Sequence, residues 1–169
     1  MASTVPEMGS SDFDFLAGDW AVENRRLSRV LDACDQWETF PASSTCVRLF
    51  EGAANADWIH FPTLGSFGLS LRLYRPSSDD WSIYWAASRD GMLQPPVIGR
   101  FDDGTGIFKG DDTHEGRPIR VRYIWSEITE VSARWEQAFS LDSELTWETN
   151  WIMSIRRSGG TVSGDREVR

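Results

Sequence analysis

Long apolar runs are missing from this sequence, and no stretch approaches the length of a membrane-spanning helix. Histidine and cysteine are scarce, with two of each. A structural zinc site would need more of them at close spacing. A disulfide framework would need more cysteines. Cys34 and Cys46 form no C-x-x-C motif and read as free thiols of a reducing cytoplasm; a bridge across one hairpin is the alternative. Positive charge is also short: 17 Lys and Arg against 26 Asp and Glu give a net charge of −9. That balance argues against a nucleic-acid partner, which wants a basic patch, and against an anionic membrane surface. Residues Met1 to Asp12, MASTVPEMGSSD, carry neither the basic nor the apolar segment of a secretion signal. There is no G-x-S-x-G elbow, no phosphate loop and no dinucleotide fingerprint. The acidic loops FDDGTG and KGDDTHEG depart from the calcium-loop pattern and read as hairpin turns. No metal and no cofactor is expected.

What is present is aromatic. Nine tryptophans stand among 169 residues that are 40% hydrophobic and 25% charged. The length fits one domain, placed at residues 12–157, between loose segments 1–11 and 158–169. Strand-like runs follow one another with short polar links: WAVENRRLSRV, QWETF, STCVRLF, ADWIHF, GLSLRLY, WSIYWAAS, PPVIGRF, GIFKG, RPIRVRYIW, ARWEQAFS and TWETNWIMSIRR. RPSSDD and DDGT between them are turn chemistry. Only SDFDFLAG reads as a helical turn, with Ser11 or Asp12 as its cap. A meander of nine or ten antiparallel strands must curl, and closure removes its edges. The expected fold is therefore an all-β, antiparallel up-and-down barrel, with a two-sheet sandwich as the rival.

Alternation assigns the faces. One phase is apolar and aromatic: Leu69, Leu71, Leu73; Trp81, Ile83, Trp85; Val97, Gly99, Phe101; Ile119, Val121, Tyr123, Trp125; Trp135, Gln137, Phe139; Trp147, Thr149, Trp151, Met153. The other is polar: Ser70, Arg72, Tyr74, Ser82, Tyr84, Ser88, Arg100, Arg120, Arg122, Arg134, Glu136, Glu148, Asn150. The apolar-in rule turns the aromatic phase inward. Trp20 shares its phase with Val22, Asn24 and Arg26. A lumen lined by Trp85, Trp125, Trp135 and Trp151, with Asn24, Arg26, Tyr123 and Gln137 as polar anchors, suits a small hydrophobic or aromatic molecule. The same rings could instead fill the barrel. In the inverse assignment Arg72, Arg122, Glu136 and Asn150 face inward and bind a polar ligand.

The start of the first strand, Gly18-Asp19-Trp20 after a short helical turn, resembles the signature of lipocalins and related calycin barrels. That resemblance implies a tryptophan plugging the closed end and an arginine from the last strand packed over it, a place filled here by Arg156-Arg157. Haem-binding barrels of this shape use an axial histidine on a late strand, and no histidine follows His114. The series FDFLAGDW, LRLYRPSSDDWSIYWA, PPVIGRF, WEQAFSLD and TWETNW is similar to a bacterial calycin-like family classed as a domain of unknown function; it implies the barrel and no particular reaction.

Two functions follow from different classes. The first is lumenal binding of a small hydrophobic or aromatic molecule. The second, by analogy of fold, is a cofactor-independent cyclase, isomerase or dehydratase acting on a polyketide-like product, with Tyr84, Tyr123, Glu136 and His60 as acid–base candidates. A protein-interaction module would show outward tryptophans in one patch. Homodimerisation through the outer wall is compatible with all three.

Overall fold

The computed structural model describes residues 11–159; most of both segments expected to be loose lies outside the described residues. Ten strands follow in chain order: β1 (Gly18–Leu27), β2 (Trp37–Leu49), β3 (Ala54–Phe61), β4 (Ser66–Arg75), β5 (Asp80–Ala87), β6 (Val97–Asp102), β7 (Thr105–His114), β8 (Arg117–Ser126), β9 (Ser132–Ser140) and β10 (Glu148–Arg157). Each pairs antiparallel with the next, and β1 pairs with β10. The sheet is thus a closed up-and-down barrel rather than a sandwich. Among the described residues no helix is long and apolar enough to cross a membrane.

Local chemistry explains the tight links. Asp103-Gly104 and Glu115-Gly116 all have positive φ, and each pair joins two strands through a two-residue turn. That backbone matches the right-handed twist of a hairpin. The expected strands QWETF and STCVRLF are one strand, β2, running through Pro41. β3 pairs only with Ser43–Leu49, so Pro41 lies where β2 has a strand neighbour on one side. Proline is tolerated at such an edge.

The expected helical turn is a single 3₁₀ turn, Asp14–Leu16, without a side-chain cap. Asp12 instead accepts a hydrogen bond from Trp81 Nε1 at 3.2 Å. The turn carries Phe13 into the end of the barrel, where its ring meets Phe101 at 4.9 Å and Trp81 at 5.0 Å, both edge-on. Phe13, Trp20, Trp81 and Phe108 are the large rings sealed there, each at most 1% exposed.

Two parts of the face assignment are corrected. In β4 the polar phase points inward: Ser70 and Arg72 are buried, while Leu69 is 42% exposed. Register forces this, because Arg72 pairs with Ile83 and Ser70 with Trp85, both inward residues of β5. Leu69, Leu71 and Leu73 therefore join the outer face. Trp147 precedes β10, ahead of a register shift between Thr149 and Trp151. Its ring lies outside, 4.4 Å from Cζ of the outward Arg122. On β3 and β4 the outer wall carries Trp58, Phe67 and Leu69 as neighbouring exposed apolar residues.

Candidate functional site

The closed end is built from Gly18, Trp20 and Arg157. Gly18 has φ +115°, and a Cβ there would stand 2.8 Å from Arg157 Nη1, so both the backbone and the space call for glycine. Trp20 Nε1 donates to the Leu16 carbonyl at 2.7 Å. Arg157 lies over the Trp20 ring at 4.2 Å and donates to the carbonyls of Ala17, Phe15 and Glu130 at 2.8, 3.0 and 2.9 Å. The partner is Arg157; Arg156 points to solvent.

Above this floor lies a cavity of about 90 Å³. At roughly 10–15 Å³ per water it holds several waters or a small ring. Trp85, Trp125, Trp135, Trp151 and Tyr123 line it, with Val22, Ile59, Ile83, Met153 and Ile155 between them. The rings interlock: Tyr123 meets Trp135 at 5.0 Å, and Trp135 meets Trp151 at 6.1 Å, both edge-on. Trp85 is placed by Gly68, since any Cβ at that position would overlap its indole.

One wall is charged. Arg72 Nη1 donates to Asp57 Oδ1 and, at 2.9 Å, to Asn55 Oδ1. The Arg72 and Asp57 side chains are 5% and 12% exposed. Ser44 Oγ adds a long contact to Asp57 at 3.5 Å. The Arg72 guanidinium also stands 5.3 Å from the Phe13 ring and 5.6 Å from that of Trp125. A buried pair of this kind contributes little net stability but is costly to break.

The candidate residues divide by face. Trp85, Tyr123, Trp125, Trp135, Gln137 and Trp151 share the cavity. Asn24 sits in the wall, donating to the Phe40 carbonyl at 3.2 Å and accepting from Trp151 Nε1 at 2.9 Å, so it holds that ring in place. Arg26 lies at the opposite rim, over the Phe40 and Trp151 rings at 5.2 and 5.3 Å and 3.8 Å from Glu38. The inverse set splits. Arg72 faces inward, and Asn150 is buried and accepts from Gln137 Nε2 at 2.9 Å. Arg122 and Glu136 face outward, Glu136 paired with Arg134 at 3.3 Å. Of the acid–base candidates, only Tyr123 is lumenal. Tyr84 pairs across the outer face with Leu71, and His60 stacks on the exposed Phe67 at 4.5 Å.

Asp57, Ser44, Ser70 and Cys46 also line the cavity and were not among the expected residues. The usable signal for Asp57 was its phase in NADWIHF, shared with the buried Ile59 and Phe61. Burial pushes the Cys46 thiol up to about 12, so it stays S–H. Cys34 lies in the β1–β2 loop, and hydrogen bonding with Ser28 lowers its thiol. Both cysteines are free, and no bridge joins them. Burial likewise raises the Tyr123 hydroxyl, with Asp112 adding to the shift, so it remains a donor.

A closed ten-strand meander whose first strand opens on Gly-x-Trp, with a last-strand arginine over that tryptophan, is a calycin-like barrel. Among solved structures the chain is similar to the S-type phycobiliprotein lyase CPES from Guillardia theta, at 9% identity and a TM-score of 0.56, over 94% of this chain and 99% of that one. The likeness is one of fold. No family model matches the chain, and no curated protein does.

Proposed function

We propose that the barrel binds a small hydrophobic or aromatic molecule in its lumen. What supports this is the cavity beneath Trp85 and Trp151, walled by aromatic rings and closed at one end by Trp20. Such concave, mostly apolar sites with a few polar groups are the usual form of small-molecule pockets. Two free thiols fit a reducing cytoplasm as the compartment. The resemblance to the bacterial calycin-like family agrees with the barrel and adds no reaction.

Turnover is the second reading, a cofactor-independent cyclase, isomerase or dehydratase. Tyr84, Glu136 and His60 lie on the outer wall, so lumenal chemistry would fall to Tyr123 and Asp57. Tyr123 is a poor base because its proton is held tightly. Asp57 is already engaged by Arg72. Binding is therefore the better-supported function.

The test is tryptophan-fluorescence titration with naphthalene, together with native mass spectrometry of the purified protein. Saturable quenching that weakens in Trp85→Ala and Trp151→Ala is expected. A flat titration with no retained ligand would overturn the proposal.

A further inference from the structure

Unpartnered donors belong to several residues that line the lumen. Arg72 Nε and Trp125 Nε1 are sealed from water and have no hydrogen-bond partner among the described residues. Both side chains border the cavity. An unpaired buried donor is costly; Arg122 Nε and Asn150 Nδ2 are unpaired in the same way, so it is a donor open to the cavity that points to a ligand. Tyr123 stands two residues from Trp125 on the same face of β8. Its surface is only partly covered although it lies deep in the barrel, and what uncovers it is the cavity. Its hydroxyl makes no hydrogen bond to the described residues. Tyr123 is thus the unpartnered donor that opens on the cavity, within electrostatic reach of Arg72.

We infer that the lumenal ligand carries a neutral carbonyl-type oxygen on its apolar or aromatic body, and that Tyr123 donates to it. This rests on the lumenal binding proposed above. The oxygen is an acceptor because the unpartnered Tyr123 hydroxyl, held protonated by burial, presents a donor to the cavity. It is neutral because Asp57 already balances Arg72. A carboxylate would bring an uncompensated charge into an aromatic chamber, which low-polarity surroundings penalise heavily. The body is flat and apolar because the remaining walls are indole and aliphatic. Aromatic ketones and quinones are the matching class. A site built around donors discriminates sharply against an analogue that lacks the acceptor.

The test compares 1-indanone with indane, which differ in the oxygen, and with indane-1-carboxylate. Dissociation constants come from fluorescence titration, and the carbonyl stretch of bound indanone from infrared difference spectra. The ketone is expected to bind about tenfold tighter than indane, the scale of one good hydrogen bond. Its stretch should move to lower frequency on binding. Tyr123→Phe removes an unpartnered hydroxyl, so folding is spared; it should bring the two affinities to within about threefold and reverse most of the infrared shift. Equal binding of ketone and indane overturns this inference and leaves lumenal binding standing. Failure of every probe to bind overturns both. Tighter binding of the carboxylate overturns the neutral acceptor, and a ketone preference unchanged in Tyr123→Phe overturns the assignment of the donor.

Discussion

The guanidinium of Arg157 covers the indole of Trp20 at 4.2 Å while donating to carbonyls of the segment that precedes β1. One side chain from the last strand thus fastens the plug and the first strand together. Within the 3₁₀ turn the Phe15 carbonyl accepts from this arginine and the Leu16 carbonyl from Trp20 Nε1, so the two side chains hold the turn together.

Arg157→Ala should lower stability by about 2–3 kcal/mol, because charge-assisted bonds and a cation–π contact are lost together. Gly18→Ala should cost about 1–3 kcal/mol through its left-handed backbone and the crowding of Arg157. Urea midpoints measure both. Arg156→Ala, on the exposed neighbour, is the control and should leave the midpoint unchanged.

Asp57→Ala should cost about 3–5 kcal/mol, since it strands the Arg72 charge inside the barrel. The double change Asp57→Leu with Arg72→Met should recover most of that loss, as apolar groups replace a pair that contributed little net stability. Denaturation of the two variants and the parent decides it. A double variant less stable than Asp57→Ala would mean that the pair is a net stabiliser.

Gly68→Ala sets a methyl against Trp85, a wall of the proposed ligand site. It pushes the Trp85 indole off its seat and so deforms the cavity wall. A shift in tryptophan emission and a severalfold loss of naphthalene affinity are expected, with a stability cost of about 1–3 kcal/mol from overpacking.

The β9–β10 loop should respond to acid. Asp142 accepts from Thr146 Oγ1, the Thr146 backbone N–H and Ser140 Oγ, and these bonds hold its carboxyl down at about 2. A folded-state value below the usual carboxylate range means that the stabilisation is present above about pH 4 and fades as pH falls toward 2. The urea midpoints of the parent and of Asp142→Asn should differ above pH 4 and converge below it.

Much of this barrel can be read from alternation. The inward phases of β5, β8 and β9 follow directly from their indoles and aliphatic residues, and the Asp103-Gly104 turn from its dipeptide. β4 could not be read this way. Its leucines form the more apolar phase, yet the phase of a strand is fixed by its neighbours' register, not by its own composition. Ile83 and Trp85 on one side and Asp57 on the other set Arg72 inside. Trp147 escaped for a related reason: a register shift in β10 breaks the period that would have carried it inward. The charged half of the cavity therefore lay in residues whose apolar neighbours hid it.

The pairing of β1 with β10 also has a consequence for the order of events during synthesis. Arg157 must reach Ala17 across a separation of 140 residues. Until β10 has left the ribosome both of its pairings, with β9 and with β1, are missing, so the earlier strands can form at most an open sheet with two unsatisfied rims and an unfastened plug. The barrel cannot close until almost the last residue of its final strand is available. Its cooperative stability therefore waits on the arrival of the last strand.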